Sequence, residues 1–327
     1  MTTPTNIEKQ SSSQHPPAIF VIGPTASGKT ALAMQLCREF PCEIVSVDSA
    51  QVFRDMNIGT AKPDEATLAE FPHRLINLIS PIERYSAARF CTDALAAMQD
   101  ISSAGRIPLL VGGTMLYIKA LREGLAALPS ADADVRATIE FDASQRGWPA
   151  LHADLALLDP ITAARLKPTD TQRIQRALEI IKISGKSVSD LFEQQTSAPL
   201  PYRCLGLALM PTDRAGLHQR IATRFDVMLA SGLMDEVIGL RQKYTLHADL
   251  PSMRCVGYRQ VWDVLEGNTP KVELRDRGIF ATRQFAKRQL TWLKSLPNLE
   301  YLDPFDSHLN ATAIMRVRQF LADNEQT

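Results

Sequence analysis

Apolar residues fall into short continuous runs along much of the chain, and stretches with helical spacing separate them. The runs are "AIFVIG", "CEIVSVD", "HRLINLIS", "IPLLVGG" and "YRCLGLALM", and "LEYLDP" is a candidate edge strand. Helical spacing marks "KTALAMQLCREF" and "AARFCTDALAAMQDISSAG". Strands that alternate with helices predict an α/β fold, with a doubly wound parallel sheet flanked by helices.

The pattern changes between residues 129 and 200, where we find helical spacing and no strand pattern. Prolines mark both ends of this stretch. We therefore predict an all-helical insertion domain over residues 129–200. The sheet domain then comprises a first part over residues 17–128 and a continuation with C-terminal helices over residues 201–327. The polar residues 1–16 contain no apolar segment and predict a disordered tail.

Composition limits the classes of protein that the chain can be. Hydrophobic residues make up 45% of its 327 residues, charged residues make up 22%, and the formal net charge is zero. The protein is therefore not a polycation, so any nucleic-acid surface must come from local segregation of charge. No apolar run approaches the length of a membrane span. Five cysteines without a CxxC spacing argue against disulfides or a zinc site, so we expect reduced thiols and a cytoplasmic protein.

The segment "GPTASGKT" fits the phosphate-loop pattern G-x-x-x-x-G-K-[ST] between a predicted strand and a predicted helix. Its glycines let backbone N–H groups face an anion, and the helix N-terminus adds positive potential. Lys29 can reach a phosphate oxygen, and the Thr30 hydroxyl is placed for Mg²⁺. The strand "IPLLVGGT" ends in Gly-Gly-Thr where a Walker-B strand would end in Asp, so a motor-type ATPase is not expected.

Two polar residues follow predicted strands, at the edge where parallel sheets bind ligands. Asp48 ends "IVSVD" and can take a proton from a nucleophile, although it could also serve only as a turn or capping residue. Thr114 follows two glycines, and it could equally cap the next helix. Arg220 and Arg224 lie one helical turn apart, where they can clamp a diphosphate or form a solvated basic face.

Basic and aromatic residues near the C-terminus are candidates for an RNA surface. In "RQFAKRQLTWLK", Arg283, Lys287 and Lys294 fall on one side of a helix and Arg288 lies nearby. The stretch "RCVGYR" offers groups that can stack on unpaired bases or pair with phosphates. Arg173 and Arg176 lie off the apolar face of their helix and could be ordinary exposed arginines.

Several segments together resemble one family, the tRNA dimethylallyltransferases. These are "GPTASGKT", "DSAQVFRDMNIGTAKP", "GGTMLYIKAL", "QRIQRALEI", "RCVGYRQVWDVLEG" and "ATRQFAKRQLTWLK", in order from residue 23 to residue 294. The resemblance implies transfer of a dimethylallyl group from dimethylallyl diphosphate to the exocyclic amine of the adenosine 3′-adjacent to the anticodon in tRNA. It also implies a P-loop NTPase-like core whose loop holds a leaving diphosphate. We expect Mg²⁺ as cofactor and a monomer, with the insertion binding the anticodon stem.

The resemblance and the residue patterns together define the candidate site. The candidate catalytic residues are Asp48 as general base, Thr114 on the adenine, and Lys29. Thr30 is the candidate metal ligand. The candidates for the diphosphate are Gly23, Pro24, Thr25, Ala26, Ser27, Gly28, Lys29, Thr30, Arg220 and Arg224. The candidates for tRNA are Asp48, Ser49, Ala50, Gln51, Thr114, Arg136, Gln172, Arg173, Ile174, Gln175, Arg176, Arg254, Cys255, Val256, Gly257, Tyr258, Arg259, Arg283, Lys287, Arg288 and Lys294.

Two other functions are compatible with parts of the sequence. A small-molecule kinase of the same core would use ATP as donor and Asp48 to deprotonate a hydroxyl, but it leaves the basic helix and "RCVGYR" unexplained. A nucleotide-gated RNA-binding protein without catalysis leaves Asp48 beside the loop unexplained.

Overall fold

The computed structural model describes residues 15–124, 128–194 and 200–323. The chain divides into two compact units. The first combines Met1–Ala120 with Pro201–Thr327, and the second is Leu121–Leu200. Most of the predicted tail, residues 1–14, lies outside the described residues. Among the described helices, none has the length and apolar character needed to cross a membrane.

A six-stranded sheet forms the centre of the first unit, and all its pairings are parallel. The strands are β1 (Pro17–Ile22), β2 (Cys42–Val47), β3 (His73–Arg74), β4 (Ile107–Gly112), β5 (Arg203–Leu209) and β6 (Glu300–Leu302). Their order across the sheet is β3-β2-β4-β1-β5-β6. Every residue of β2 and β4 is buried, including Glu43 and Ser46 of β2, because a parallel sheet is covered on both faces. The predicted parallel α/β fold is confirmed.

Helices connect the strands and form the whole of the second unit's described secondary structure. They are α1 (Lys29–Glu39), α2 (Glu65–Glu70), α3 (Ala87–Ser103), α4 (Met115–Glu123), α5 (Ala133–Arg146), α6 (Trp148–Leu158), α7 (Pro160–Ala164), α8 (Thr171–Ser184), α9 (Val188–Glu193), α10 (Arg214–Ala230), α11 (Leu233–Lys243), α12 (Tyr258–Leu265), α13 (Leu274–Leu293) and α14 (Leu309–Ala322). A short 3-10 helix, Lys271–Glu273, precedes α13.

The predicted strand "HRLINLIS" is mostly wrong. Only His73–Arg74 pair with β2, and a single bridge joins Ile79 to Phe53. Leu75 and Asn77 have φ angles of 64° and 55°, in the left-handed region that a strand cannot contain. The segment therefore turns away from the sheet after two residues.

The second unit has its own apolar core, which draws on α5, α6, α7, α8 and α9. Its first residue is Leu121, eight positions before the boundary that we placed at residue 129. Ile174 lies fully buried in this core, so the prediction that its side chain contacts tRNA is wrong. The 3.6-residue period places Ile174 on the same face as Ala177 and Leu178, which are also buried.

Close packing of α10 against α13 fixes one side of the first unit. A Cβ built on Gly278 of α13 would stand only 1.9 Å from the Phe225 ring of α10. The missing side chain therefore makes the hollow that this ring fills. Arg224 precedes Phe225, and Gln289 lies further along α13, so the two packed helices carry both of these polar side chains.

Candidate functional site

A cavity of about 390 Å³ opens at the carboxyl ends of β1, β2 and β4, where ligands bind in open parallel sheets. We call it the strand-end cavity. Its walls come from the phosphate loop, from the turns after β2 and β4, and from α10 and α13. All of these elements belong to the first unit.

The phosphate loop follows β1 and leads directly into α1. Ala26 and Gly28 have φ angles of 62° and 86°, so both residues adopt the left-handed backbone conformation that lets the loop turn tightly. The N–H of Ser27 donates to the Pro24 carbonyl, and the N–H of Thr25 donates to Oε1 of Gln289 on α13. The amides at the start of α1 therefore remain to face an anion. Thr25, Lys29 and Thr30 line the cavity, whereas Gly23, Pro24 and Ser27 are buried and do not line it.

Lys29 is the principal cation of the loop. Its Nζ donates to the Pro24 carbonyl oxygen at 2.7 Å, so the side chain is folded back over the loop. Burial and then the positive charge of Arg224 lower the pKa of Lys29 to about 7, while Asp48 opposes that change. An anion in the cavity would offset both effects and favour the charged ammonium.

Asp48 follows β2 in a turn that fixes one of its two oxygens. Oδ1 accepts hydrogen bonds from the N–H groups of Ala50 at 2.8 Å and Gln51 at 3.2 Å. Oδ2 makes no hydrogen bond to the described residues, and the side chain lines the cavity. Asp48 is therefore a turn residue through one oxygen, while the other is left for a ligand.

Thr114 follows β4 and links the ends of two strands. Its Oγ1 accepts from the Ser49 N–H at 3.0 Å and lies 3.3 Å from the Ser49 Oγ, so the side chain contacts the turn after β2. Gly112, two residues before Thr114, permits this approach, since a Cβ on Gly112 would stand 2.0 Å from the Val47 carbonyl oxygen. Thr114 and Asp48 are thereby held on the same side of the cavity.

The two candidate arginines of α10 have different positions. Arg224 lines the cavity, and burial is the main cause that lowers its pKa, which Asp48 partly opposes. The Arg220 guanidinium instead stacks 4.0 Å from the centre of the Phe305 ring and donates to the Pro304 carbonyl. The prediction that Arg220 clamps the diphosphate is therefore wrong, because Phe305 and Pro304 hold its guanidinium away from the cavity.

The residues of "RCVGYR" lie in different environments: some line the cavity and others do not. Arg254, Cys255 and Val256 line the cavity, and burial raises the pKa of the Cys255 thiol to about 12. Tyr258 is fully buried and its hydroxyl donates to Glu236 at 2.5 Å, so the prediction that it stacks on RNA is wrong. Gly257, with φ of 93°, is the N-cap of α12, and Tyr258 is the first residue of that helix. The Arg259 guanidinium is held by Asp263 and the Ala248 carbonyl.

The basic side chains of α13 divide between the cavity and the surface. Arg288 lines the cavity and stacks on Phe285. Arg283, Lys287 and Lys294 are exposed and form no ion pair with the described residues. The first two lie on α13, and Lys294 forms its C-cap. Ser49, Ala50 and Gln51 line the cavity on its other side.

Two of the tRNA candidates of the second unit pair with one buried carboxylate. Arg136 and Arg176 both pair with Glu179, whose side chain has no exposed surface. Gln175 donates to Glu140, and Arg173 pairs with Asp170 but remains largely exposed, as does Gln172. Arg136 and Arg176 therefore support the fold of this unit and retain about a third of their side-chain surface.

Two polar residues that the sequence analysis missed hold the cavity walls. Gln289 of α13 bridges the phosphate loop and the end of β4. Glu236 of α11 accepts from the N–H groups of Asn57, Ile58 and Gly59, and Gly59 lines the cavity. The sequence did carry a signal for Gln289, because it lies three residues after Ala286 and four before Leu293, on the face of α13 that is buried. No local pattern indicates the second.

Comparison with sequence families gives two matches. The IPP transferase family matches residues 51–296, and the isopentenyl transferase family matches residues 17–78. Among curated proteins, the tRNA dimethylallyltransferase of Dechloromonas aromatica is 59% identical over 94% of this chain and 98% of its own length. That of Nitrosomonas europaea is 55% identical over 90% of this chain and 93% of its own.

Solved structures with the same fold are also similar in sequence. The tRNA isopentenylpyrophosphate transferase of Bacillus halodurans is 34% identical, with a TM-score of 0.67 over 94% of this chain and 96% of its own. A eukaryotic dimethylallyltransferase, solved while acting on tRNA, is 27% identical with a TM-score of 0.80. That comparison covers 94% of this chain and 80% of the eukaryotic one.

Proposed function

Because the chain belongs to the IPP transferase family, we infer that it is a tRNA dimethylallyltransferase. It transfers a dimethylallyl group from dimethylallyl diphosphate to the exocyclic amine of the adenosine 3′-adjacent to the anticodon. The products are N6-isopentenyladenosine in tRNA and free diphosphate. The observation that carries this function is that Asp48, Thr114 and the phosphate loop line one cavity.

The transfer joins the amine nitrogen to C1 of the prenyl group and breaks the bond between C1 and the bridging oxygen. The electron pair of the broken bond leaves with the diphosphate, and one amine proton must go to a base. Oδ1 of Asp48 is fixed by two N–H groups, so we propose that Oδ2 takes that proton. Thr114 holds the adenine, and Lys29 and Arg224 stabilise the charge that grows on the departing oxygens.

The cavity offers oxygen ligands that suit Mg²⁺, and we propose that most of the ligands come from the bound diphosphate. Within the described residues, no cluster of three or more His, Cys, Asp or Glu could hold a metal ion by itself. The Thr30 side chain is exposed and lines the cavity. Mg²⁺ usually combines few protein oxygens with phosphates and water. We propose that Thr30 and the diphosphate oxygens hold it, and when bound it neutralises charge on the leaving group.

The tRNA is proposed to cross from the cavity to exposed basic groups. Arg254 and Arg288 line the cavity, and Arg283, Lys287 and Lys294 extend the positive surface along α13. We propose that residues 129–200 bind the anticodon stem, where Gln172 and Arg173 are the exposed candidates. The protein is proposed to act as a monomer in the cytoplasm.

Donor binding should take up a proton through Lys29. The free protein holds the pKa of Lys29 near 7, so at about pH 8 this side chain is mostly neutral. A bound diphosphate favours the ammonium and raises that pKa, so binding near pH 8 should take up close to one proton, and binding near pH 6 far less. Calorimetric titration with inorganic diphosphate in buffers of different ionisation enthalpy measures this uptake.

The Lys29→Arg variant is the matched control for this titration, because an arginine stays charged at both pH values. Subtracting its proton uptake from that of the wild type removes the titration of diphosphate itself. Equal uptake by the two proteins near pH 8 would show that Lys29 is already charged in the free protein.

Lys287→Ala should weaken tRNA binding at low salt without affecting the donor. Each phosphate contact releases condensed cations, and for single strands the slope of log affinity against log salt changes by about 0.7 per contact. The variant should lose roughly that much slope, while the rate at saturating tRNA stays within about twofold of wild type. A filter-binding salt series measures the slope, with the exposed Lys271→Ala as control.

The function itself is tested by incubating unmodified tRNA with dimethylallyl diphosphate, Mg²⁺ and the protein, followed by nucleoside mass spectrometry. We expect one dimethylallyl group in place of one hydrogen on the adenosine beside the anticodon. A tRNA that keeps its mass while the protein rapidly phosphorylates a nucleoside or small alcohol from ATP would support a kinase instead.

A further inference from the structure

We propose that Gln289 is a positioning residue, whose side-chain amide sets the separation between the phosphate loop and the end of β4. The inference rests on the proposed function, since it concerns how the donor carbon and the adenine amine are brought together. It gives α13 a part in the reaction that is distinct from its exposed basic side chains.

Both halves of the Gln289 amide are used, and both contacts are short. Oε1 accepts from the Thr25 N–H at 2.8 Å, and Nε2 donates to the Gly113 carbonyl oxygen at 2.8 Å. The side chain is buried, with 5% of its surface exposed. Few side chains can replace it, because the bridge needs an acceptor and a donor on one planar group.

The Gln289 amide is closely packed against the backbone around it. A Cβ on Gly113 would stand 2.3 Å from Gln289 Nε2 and 2.9 Å from the Gly23 carbonyl oxygen. The helix that carries Gln289 is itself fixed, since Gly278 packs against the Phe225 ring. The amide therefore spans a gap of defined width between two backbone segments.

In the proposed reaction, one of the two bridged segments binds the prenyl donor and the other binds the adenine. Thr25 lies in the loop that holds the leaving diphosphate, whereas Gly113 immediately precedes Thr114 on the adenine side. The reacting atoms must approach to about 3–3.5 Å, and a misplacement of about 1 Å can cost roughly 100-fold in rate. A change in the width of the bridged gap acts directly on that distance.

Gln289→Met is the first test, because it keeps the length of the side chain and removes both hydrogen bonds. We expect the single-turnover rate at saturating substrates to fall about 10- to 100-fold, with tRNA affinity within about twofold of wild type. The affinity for inorganic diphosphate should fall several-fold, since the loop loses one of its anchors. Val317→Ala, a cavity variant in the buried core of α14, controls for lost stability and should keep the rate.

Gln289→Glu is the second test, and its pH dependence separates positioning from packing. An ionised glutamate can accept from Thr25 but faces the Gly113 carbonyl oxygen with another acceptor, so the bridge fails. A protonated glutamate has one O–H donor and one acceptor oxygen and can rebuild both bonds. The ratio of the variant's rate to the wild-type rate should therefore rise as pH falls, and the ratio cancels the titration of groups that both proteins share.

A Met variant that transfers as fast as Val317→Ala would overturn the proposal, and so would a Glu-to-wild-type ratio that does not change with pH. If the wild type transfers no dimethylallyl group at all, the proposed function has failed. The diphosphate titration still tests the bridge in that case, because it needs no turnover: unchanged affinity in Gln289→Met contradicts the bridge, and weaker affinity supports it.

Discussion

Asp48→Asn should leave both substrates bound and slow the transfer by about 100- to 10,000-fold, the usual contribution of a positioned general base. An asparagine can keep the turn, because its side-chain oxygen can still accept from the N–H groups of Ala50 and Gln51. It offers no carboxylate oxygen to take the amine proton. Single-turnover kinetics at saturating tRNA and donor measure the change directly.

Asp306→Asn is the matched control for this variant. Asp306 also accepts from a backbone N–H two residues further on, that of His308, but it is exposed and lies outside the cavity lining. It should transfer at the wild-type rate. If Asp48→Asn also stays within about threefold of the wild type, Asp48 has no part in the proton transfer.

Lys29→Ala should weaken binding of dimethylallyl diphosphate and also slow its departure, by about 100- to 1,000-fold in the single-turnover rate. Charge on the departing oxygens grows as the C1–oxygen bond breaks, so a cation beside them stabilises the transition state more than the bound donor. Lys29 lines the cavity from the first turn of α1, beside the amides that face the anion.

Lys29→Arg separates charge from geometry in this experiment. It keeps a cation but replaces a point charge with a planar group, and we expect an intermediate rate. The exposed Lys271→Ala should behave as the wild type. A Lys29→Ala variant that binds the donor more weakly but transfers at the wild-type rate when saturated would show that Lys29 acts in binding alone.

Local sequence patterns were sufficient for most of the sheet. The strands β1, β2, β4 and β5 were predicted because each is a short, mostly apolar run that alternates with helical spacing, as the covered strands of a parallel sheet do. β3 was predicted too long because the positive φ angles of Leu75 and Asn77 depend on the turn that they enter and not on their hydrophobicity. The phosphate loop could be identified from eight letters, although of its two left-handed residues only Gly28 is a glycine and the other is Ala26.

The candidate site was predictable where topology alone gathers the residues. Asp48 and Thr114 follow two strands of a parallel sheet, whose carboxyl ends must lie at one edge. The roles of Gln289 and Tyr258 instead depend on how helices pack. Gln289 lies 264 residues from Thr25 and 176 from Gly113, and no local spacing reports such contacts. Tyr258 looked like an RNA-stacking residue because it stands among arginines, yet α12 turns it onto Glu236.

The central claim is that the phosphate loop holds a leaving group and that no phosphoryl group is transferred. The test uses dimethylallyl diphosphate in which the oxygen between C1 and the first phosphorus atom carries an isotopic label. The protein converts this substrate in the presence of tRNA, and the products are analysed for the label. Cleavage between C1 and the bridging oxygen sends the label into the released diphosphate, in equal amount to the prenylated tRNA, and this is the result that we predict. Label recovered in dimethylallyl alcohol or its monophosphate would mean that a phosphorus–oxygen bond is broken, and the claim would be wrong.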